Sequence, residues 1–447
     1  MLTLRTAWIV AVILFVALAV TYWLASTGGR EERERRLAIL GSGLFLGLIA
    51  VRMPELFRFD RVWAETTSLY FLHAYENGPA SALFRQVSNY FDLSANLAST
   101  LAVLAGLHLW PVVDIGFGFL PMVLLPFCLA GLGFSPRHRI GILLVVAGAI
   151  YTIHSGETFG SVLHVKGRGG IYAFLVLLSL ALGHPLGWLH KALLLVLPLT
   201  GPPAALLLII FAGAVIVLRR RASYRVLPWA APGVAVQVAS VLFGAGRGTG
   251  LDARPLELLA PIYGADLFVG KILGGLVFPK TVFNPVAPEL PEVVLTNLTM
   301  AALLVAALVL YVRMPERRDT TLLFPVLVAQ FMATVALAVG GARLVFETGG
   351  PRYFFPTLCM VGALAVTSRV AARRWFAPLA AAVVIAIVVN DRPMVRAYDN
   401  FVFLPHNPPW KTQIEQDTDK PIRTISTYPR TWTFDLPNCG EYYCGKR

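Results

Sequence analysis

The sequence predicts an all-α protein, a polytopic transmembrane helix bundle with about 11 to 12 spans and further interfacial helices in its outer loops. The first observation is composition: 57% of the 447 residues are hydrophobic and 14% are charged, whereas soluble domains carry about 25% charged residues. The second is that long uncharged apolar runs recur along the whole chain, so they cannot form a single buried core. The third is that basic residues collect between these runs.

Six basic segments orient the predicted helices. They are REERERR (30–36), SPRHR (135–139), LHK (189–191), RRRASYR (219–225), RMPERR (313–318) and SRVAARR (368–374). By the positive-inside rule they face the cytoplasm. We therefore interpret the net charge of +13 as a topological signal and expect no nucleic-acid partner.

Placing a span on each side of each basic segment predicts the helices. They lie near 7–26, 37–53, 111–134, 139–154, 170–184, 190–200, 203–218, 226–243, 292–312, 320–339, 354–368 and 376–390. Several are shorter than the roughly 20 residues that a straight span needs, so we expect broken or tilted helices, notably at 190–200.

The apolar stretch 94–109 decides the topology. Counting it as a span would place Arg137 and Arg139 outside and invert every later helix. Because it contains Asn96, Ser99 and Thr100, we expect an interfacial helix on the outer surface instead.

This choice divides the chain into a transmembrane domain over 1–390 and a short extracytoplasmic tail over 391–447. The other extracytoplasmic segments are 54–110, 155–169, 244–291 and 340–353. These outer parts hold nearly all the remaining acidic and histidine residues. Any chemistry is therefore expected outside.

The first outer segment offers two carboxylates, Asp60 and Glu65, just beyond the end of a span. A carboxylate at the membrane boundary can take a proton from a sugar hydroxyl. Equally, both could pair with Arg58 and Arg61 as solvated charges.

The second outer segment holds Glu157, His164, Lys166 and Arg168 in a glycine-rich stretch. Cations and free backbone amides suit a phosphate-bearing lipid headgroup. The alternative is a flexible turn that contacts anionic lipids.

The segment 340–353 brings Arg352 and Tyr353 to the start of a span. Arginine binds phosphate in a bidentate manner, although charge at a helix start also serves to snorkel.

The four cysteines divide into two pairs. Cys128 and Cys359 fall inside predicted spans as small apolar residues. Cys439 and Cys444 lie close together in the tail and suit a disulfide in an oxidising compartment, with two free thiols as the alternative. We expect Trp410 and Trp432 on the surface of the tail, either anchoring it to the membrane or stacking on sugars.

Three absences narrow the function. The sequence has no cluster with zinc spacing, no GxSxG elbow and no Walker motif, which argues against ATP-driven transport. Asp114 is the one obvious charge inside the spans apart from histidines near their ends, whereas ion-coupled transporters place ionisable groups in mid-membrane.

Five segments resemble, in order, the motifs of a family of bacterial multipass proteins regarded as GT-C-type glycosyltransferases. They are VWAE (62–65) with FLHAYENG (71–78), GETFGSVLHVKG (156–167), LTGPPAALLL (199–208), PRYFFP (351–356), and PPWKTQIEQ (408–416) with YPRTWTFDLPNC (428–439). The resemblance implies Glu65 and Glu157 as the two loop carboxylates, and Arg352 with Tyr353 near a donor phosphate. Relatives usually have an aspartate where this chain has Thr66, so the acidic pair is halved, and Asp60 is a candidate substitute.

What the resemblance implies is transfer of a sugar from a polyprenyl-phosphate donor to a cell-envelope glycan or lipid acceptor. The chain would act on the extracytoplasmic face of the bacterial cytoplasmic (inner) membrane, among membrane lipids. Two alternatives stay open: a transporter or flippase for a lipid-linked saccharide, and a non-catalytic partner in an assembly of envelope glycans. No cofactor is certain, and a divalent metal stays open because carboxylates that bind metal resemble carboxylates that act as bases.

Overall fold

The computed structural model describes the central part of the chain and part of the tail. The described residues are 29–52, 62–63, 65–87, 90–152, 161–217, 221–243, 323, 356, 359–360, 362–364, 366–367, 407–416, 418–427, 432–439 and 444. The predicted spans at 7–26, 292–312 and 376–390 lie outside these residues, and those at 320–339 and 354–368 are described only at single positions or short pieces.

The described part is mostly helical. Its longer helices are α1 (Arg30–Arg52), α4 (Leu93–Ala105), α5 (Trp110–Gly131), α6 (Pro136–Thr152), α7 (Val165–Ala181), α8 (Trp188–Val196), α9 (Pro202–Val217) and α10 (Leu227–Phe243). Between α1 and α4 lie a π-helix (Thr66–Phe71), α2 (Leu72–Asn77), α3 (Pro79–Leu83) and the short hairpin of β1 (Gln86–Val87) and β2 (Tyr90–Phe91). Apart from α4, each longer helix overlaps one predicted span.

Among the described residues, three helical segments are long and apolar enough to cross a membrane: Leu107–Gly131, Val162–Ala181 and Tyr224–Phe243. Trp188–Thr200 and Pro202–Val217 are apolar but shorter. The described residues thus belong to a membrane protein by length and composition. The expected break near 190–200 is confirmed: α8 becomes a 3₁₀-helix over Leu197–Thr200, and Gly201 follows with φ +137°.

Contacts between helices fix their directions. Two hydrogen bonds join α5 and α7, from Arg168 to Gly118 and from Tyr172 to Pro121, and two more lie just beyond their ends, from Val162 before α7 to Asp114 and from Ser179 to Leu132 after α5. Because the residue numbers of the bonded partners increase together along the two helices, α5 and α7 run parallel. α8 and α10 are also parallel, because Lys191 lies over the Trp229 ring while Pro198 accepts from Gln237 further along.

Two ends of the helix packing follow from these directions. The described basic segments 135–139, 189–191 and 221–225 come together at one end. The described residues within 62–109, together with 161–166 and 200–202, come together at the other, which we call the loop end. This is the separation that the predicted alternation of spans requires.

Helix α4 lies at the loop end with its apolar side outward. Its 13 residues span about 20 Å, less than the roughly 30 Å of a hydrocarbon core. Leu97, Leu101 and Leu104 are exposed, whereas the inward positions are small or polar, such as Ala98 and Asn96. A surface helix in water shows the opposite pattern. The interfacial position expected over 94–109 stays a prediction.

The described tail forms a compact element of its own. It contains α11 (Trp410–Glu415) and the antiparallel hairpin of β3 (Ile422–Thr427) and β4 (Trp432–Pro437). A disulfide joins Cys439 and Cys444, whose Cα atoms are 4.7 Å apart. Ile414, Ile425 and Leu436 from this element share one buried apolar cluster with residues of the loop end.

Candidate functional site

The candidate site lies at the loop end, where the tail packs on the first outer segment. The Phe71 ring stacks on Trp110 at 4.8 Å between centroids, and Trp410 meets Phe71 edge-on at 6.0 Å. Trp410 Nε1 donates to the Leu107 carbonyl at 3.0 Å. Residues that are about 300 positions apart in sequence thus form one layer.

The expected surface position of Trp410 is wrong. Its side chain is 1% exposed, because the ring fills the space beside Phe71 and its N–H has a carbonyl partner. Trp410 therefore attaches the tail to the loop end and is not accessible for stacking on a sugar. The side chain of Trp432 lies outside the described residues.

Glu65 lies directly before the π-helix and is half-buried. The two threonines that follow are fully buried. Thr66 Oγ1 lies 3.1 Å from the Trp63 carbonyl and 3.3 Å from Asp114 Oδ2, and Thr67 Oγ1 accepts from Trp110 Nε1 at 3.0 Å. The backbone next to Glu65 is thus held at several points, while Glu65 itself is only half-buried.

Asp114 is a site feature to which the sequence analysis assigned no role. Its carboxylate is fully buried in α5, with Oδ1 accepting from the Val162 backbone N–H at 2.9 Å and Oδ2 facing Thr66. The sequence does contain one indication of Asp114: a charged residue inside an apolar span costs free energy and usually has a functional role. Asp114 connects the first and second outer segments.

The predicted loop position of Arg168 is corrected by the structure. Helix α7 begins at Val165, five residues before the predicted start at 170, and Arg168 lies in its first turns with 1% exposure. Its guanidinium donates to the carbonyls of Gly118 and Ser161. Arg168 therefore braces α7 against α5, and we no longer assign it to phosphate binding.

Lys166 and His164 remain half-buried at the start of α7. Lys166 Nζ donates to the Tyr90 hydroxyl at 2.8 Å. Close by, Asp92 caps α4 through a bond from Ala95 N at 3.1 Å. Burial raises the pKa of Asp92 to about 6, and the positive charge of Lys166 partly opposes that shift.

The hydroxyl of Tyr70 lies in the same region. Burial raises the pKa of Tyr70 well above its usual value, and the neighbouring Tyr90 and Asp92 raise it further. Asp92, Tyr90 and Tyr70 were not singled out in the sequence. A cap signal, Asp before an apolar run, was the one local indication for Asp92.

Glycines allow the remaining motifs to meet the start of α7. A Cβ atom added at Gly167 would lie 3.2 Å from Cγ of Pro356, the last residue of the 351–356 motif. A Cβ added at Gly201 would lie 2.7 Å from Lys166 Cβ. The Gly-Pro break and the end of the 351–356 motif therefore both abut the second outer segment.

Four predicted site residues, Asp60, Glu157, Arg352 and Tyr353, lie outside the described residues. Among the residues that are described, no group of three His, Cys, Asp or Glu side chains could hold a metal ion.

Comparison with known proteins adds no relative: no known protein family, no curated protein and no solved structure matches the chain.

Proposed function

We propose that the protein is a membrane glycosyltransferase of the GT-C type. It would transfer a sugar from a polyprenyl-phosphate donor to a glycan or lipid acceptor of the cell envelope, at the extracytoplasmic face of a bacterial inner membrane. The loop end would form that face, and the basic end would face the cytoplasm.

One observation carries the proposal: the described residues of the five motif segments, which are spread over the chain, are linked by contacts at the loop end. The first and last touch through Phe71 and Trp410. The first and second are bridged by Asp114. The second meets the third at Lys166 and Gly201, and the fourth at Pro356. Segments that merely filled helices would not have to converge.

Glu65 is the base in this proposal. The acceptor hydroxyl attacks the anomeric carbon from the face opposite the phosphate, and Glu65 takes the hydroxyl proton as the new bond forms. The bond between the anomeric carbon and the phosphate oxygen breaks, and the polyprenyl phosphate leaves with the electron pair. The half-buried Lys166 is the described cation best placed to attract that phosphate. Arg352 and Tyr353 remain proposed contributors from the 351–356 motif.

The test is transfer by purified protein in detergent micelles with a panel of polyprenyl-phosphate hexoses and pentoses. Glu65→Gln should lower turnover by about 100-fold or more, the usual scale for general base catalysis. Glu76→Gln is the matched control, because Glu76 is an exposed glutamate on α2 of the same segment. It should leave turnover unchanged.

Other outcomes would redirect the proposal. Unchanged turnover in both Glu65→Gln and Asp60→Asn would remove these carboxylates from the mechanism. Turnover in micelles, which have no compartments, would argue against a flippase. Full restoration of product in a deletion strain by Glu65→Gln would favour the non-catalytic partner.

A further inference from the structure

Asp114 reaches two separate segments from one buried position. Its side chain is fully buried near the loop end of α5. Oδ1 accepts from the Val162 N–H at 2.9 Å, and Oδ2 lies 3.3 Å from Thr66 Oγ1. Thr66 directly follows Glu65, and Val162 lies one helical turn before Lys166. Asp114 thus lies between the proposed base and the proposed phosphate-binding cation.

Successive turns of α5 repeat this role on the same face. Trp110, one turn before Asp114, donates from Nε1 to Thr67 at 3.0 Å. Gly118, one turn after, accepts from the Arg168 guanidinium. Residues spaced by four lie on one face of a helix. That face of α5 therefore sets the separation between the first and second outer segments.

The hydrogen bonds require the shape of Asp114 and not its charge. The Thr66 hydroxyl has one proton, which it can give either to Asp114 or to the Trp63 carbonyl, 3.1 Å away. An asparagine at 114 could accept from Val162 N through Oδ1. It could also donate through Nδ2 to Thr66, whose own proton would then go to Trp63. Alanine could do neither and would leave a buried N–H without an acceptor.

We infer that Asp114 is a positioning residue that holds Glu65 at a fixed place relative to Lys166. This inference rests on the proposed function for the roles of Glu65 and Lys166. Asp114 touches neither substrate nor the reacting atoms; it acts through Thr66 and Val162.

The first test compares steady-state kinetics of Asp114→Asn, Asp114→Ala and Thr66→Val. Asp114→Ala should lower kcat by about 100-fold with KM for the donor changed less than about threefold, because small misplacements of a catalytic group cost that much. Asp114→Asn should rescue kcat to within about threefold. Thr66→Val, which removes one of the two contacts, should lower kcat by roughly tenfold, and adding it to Asp114→Ala should cost little more.

The second test needs no activity. Hydrogen–deuterium exchange at the Val162 amide should accelerate in Asp114→Ala and stay slow in Asp114→Asn. If Asp114→Ala does not fold, Asp114→Asn and Thr66→Val still carry the comparison, because both keep an acceptor for Val162 N.

The outcomes separate this inference from the proposed function. If Asp114→Asn is as inactive as Glu65→Gln, the charge itself is needed and the positioning role is wrong. If Asp114→Ala turns over normally, or Val162 exchange is unchanged, Asp114 positions nothing. If instead no donor in the panel is used, or Glu65→Gln is fully active, the proposed function or its base is wrong. The exchange data still decide whether Asp114 holds the Val162 end of the second outer segment.

Discussion

Replacing Asp92 by asparagine should remove a specific pH dependence from the stability of the protein. Asp92 is fully buried, and burial raises its pKa from 3.8 to about 6. Between pH 4 and pH 6 the folded protein therefore keeps a proton that the unfolded chain has lost. Stability must fall as the pH rises through this window and then level off above it.

The size of the effect follows from that shift. Each pKa unit corresponds to about 1.4 kcal/mol, so the folded protein should lose roughly 3 kcal/mol of stability between pH 4 and pH 7 through Asp92. Solvent does not screen the Asp92 carboxylate and so does not reduce this effect, because the side chain is 0% exposed.

Asparagine is the suitable replacement because it keeps the cap. Asp92 accepts from Ala95 N at 3.1 Å and from Ser94 Oγ, and Asn caps helices about as well as Asp. Asp92→Asn therefore removes the titration while retaining the bond from Ala95. Asp92→Ala would add the loss of the cap, about 1 kcal/mol, at every pH.

The assay is equilibrium unfolding of both proteins in detergent micelles from pH 4 to pH 8. The wild-type free energy minus that of Asp92→Asn should decrease by roughly 3 kcal/mol between pH 4 and pH 7 and then stay constant. Lys166→Met should extend the decrease to higher pH, because the Lys166 charge lowers the pKa of Asp92. Parallel curves for wild type and Asp92→Asn would refute the argument, and a difference that grows with pH would mean that pairing with Lys166 outweighs burial.

Two further predictions concern the tail and the helix break. Trp410→Ala removes a buried ring, a change that typically costs about 3–5 kcal/mol, so trypsin should release the tail much faster; Trp410→Phe, which loses mainly the bond to Leu107, should cost about 1 kcal/mol. Equal rates of trypsin cleavage in the wild type and in Trp410→Ala would show that the ring does not attach the tail. Gly201→Ala should destabilise by about 1–3 kcal/mol, since φ is +137° and the added Cβ would crowd Lys166. Gly213→Ala, with no atom within 4 Å of the added Cβ, should raise the melting temperature slightly, and similar melting temperatures for both variants would contradict the close approach.

The helix positions in the described part were predictable because apolar runs and basic segments repeat the same physical rule. Two helices begin well before their predicted starts: α1 at Arg30 instead of 37, and α7 at Val165 instead of 170. The early start of α7 has a local cause. KGRGG resembles a loop because glycine lowers helix propensity. In the structure these glycines are helical, and a Cβ at Gly169 would collide with Thr200 Oγ1. Close packing, which sequence patterns do not show, decides their conformation and with it the burial of Arg168.

The site was predictable only where one segment contains the signal. Glu65 stands out beside a span end, and the close pair Cys439 and Cys444 suggests its own bond. The buried position of Trp410 was not predictable, because it depends on Phe71 and Leu107 in a distant segment. Interior contacts between such segments have no local sequence signature.

The described carboxylates at the loop end differ in a way that favours one base. Asp92 and Asp114 are fully buried and engaged by backbone N–H groups, which is the environment of a structural acid. Glu76 is exposed to solvent. Glu65 alone among these four combines partial exposure with a backbone held by buried neighbours. A general base needs both properties, since it must reach the substrate and be held in one orientation.

The halved acidic motif acquires a spatial interpretation from the same geometry. In the resemblance on which the proposed function rests, an aspartate usually follows the glutamate, and this chain has Thr66 at that position. The hydroxyl of Thr66 lies 3.3 Å from the carboxylate of Asp114. In the proposed function, the carboxylate that this position lacks would therefore lie beside it, supplied by α5. Because the two oxygens of Asp114 are engaged by Val162 and Thr66, we propose that Asp114 orients the loop and that Glu65 accepts the proton.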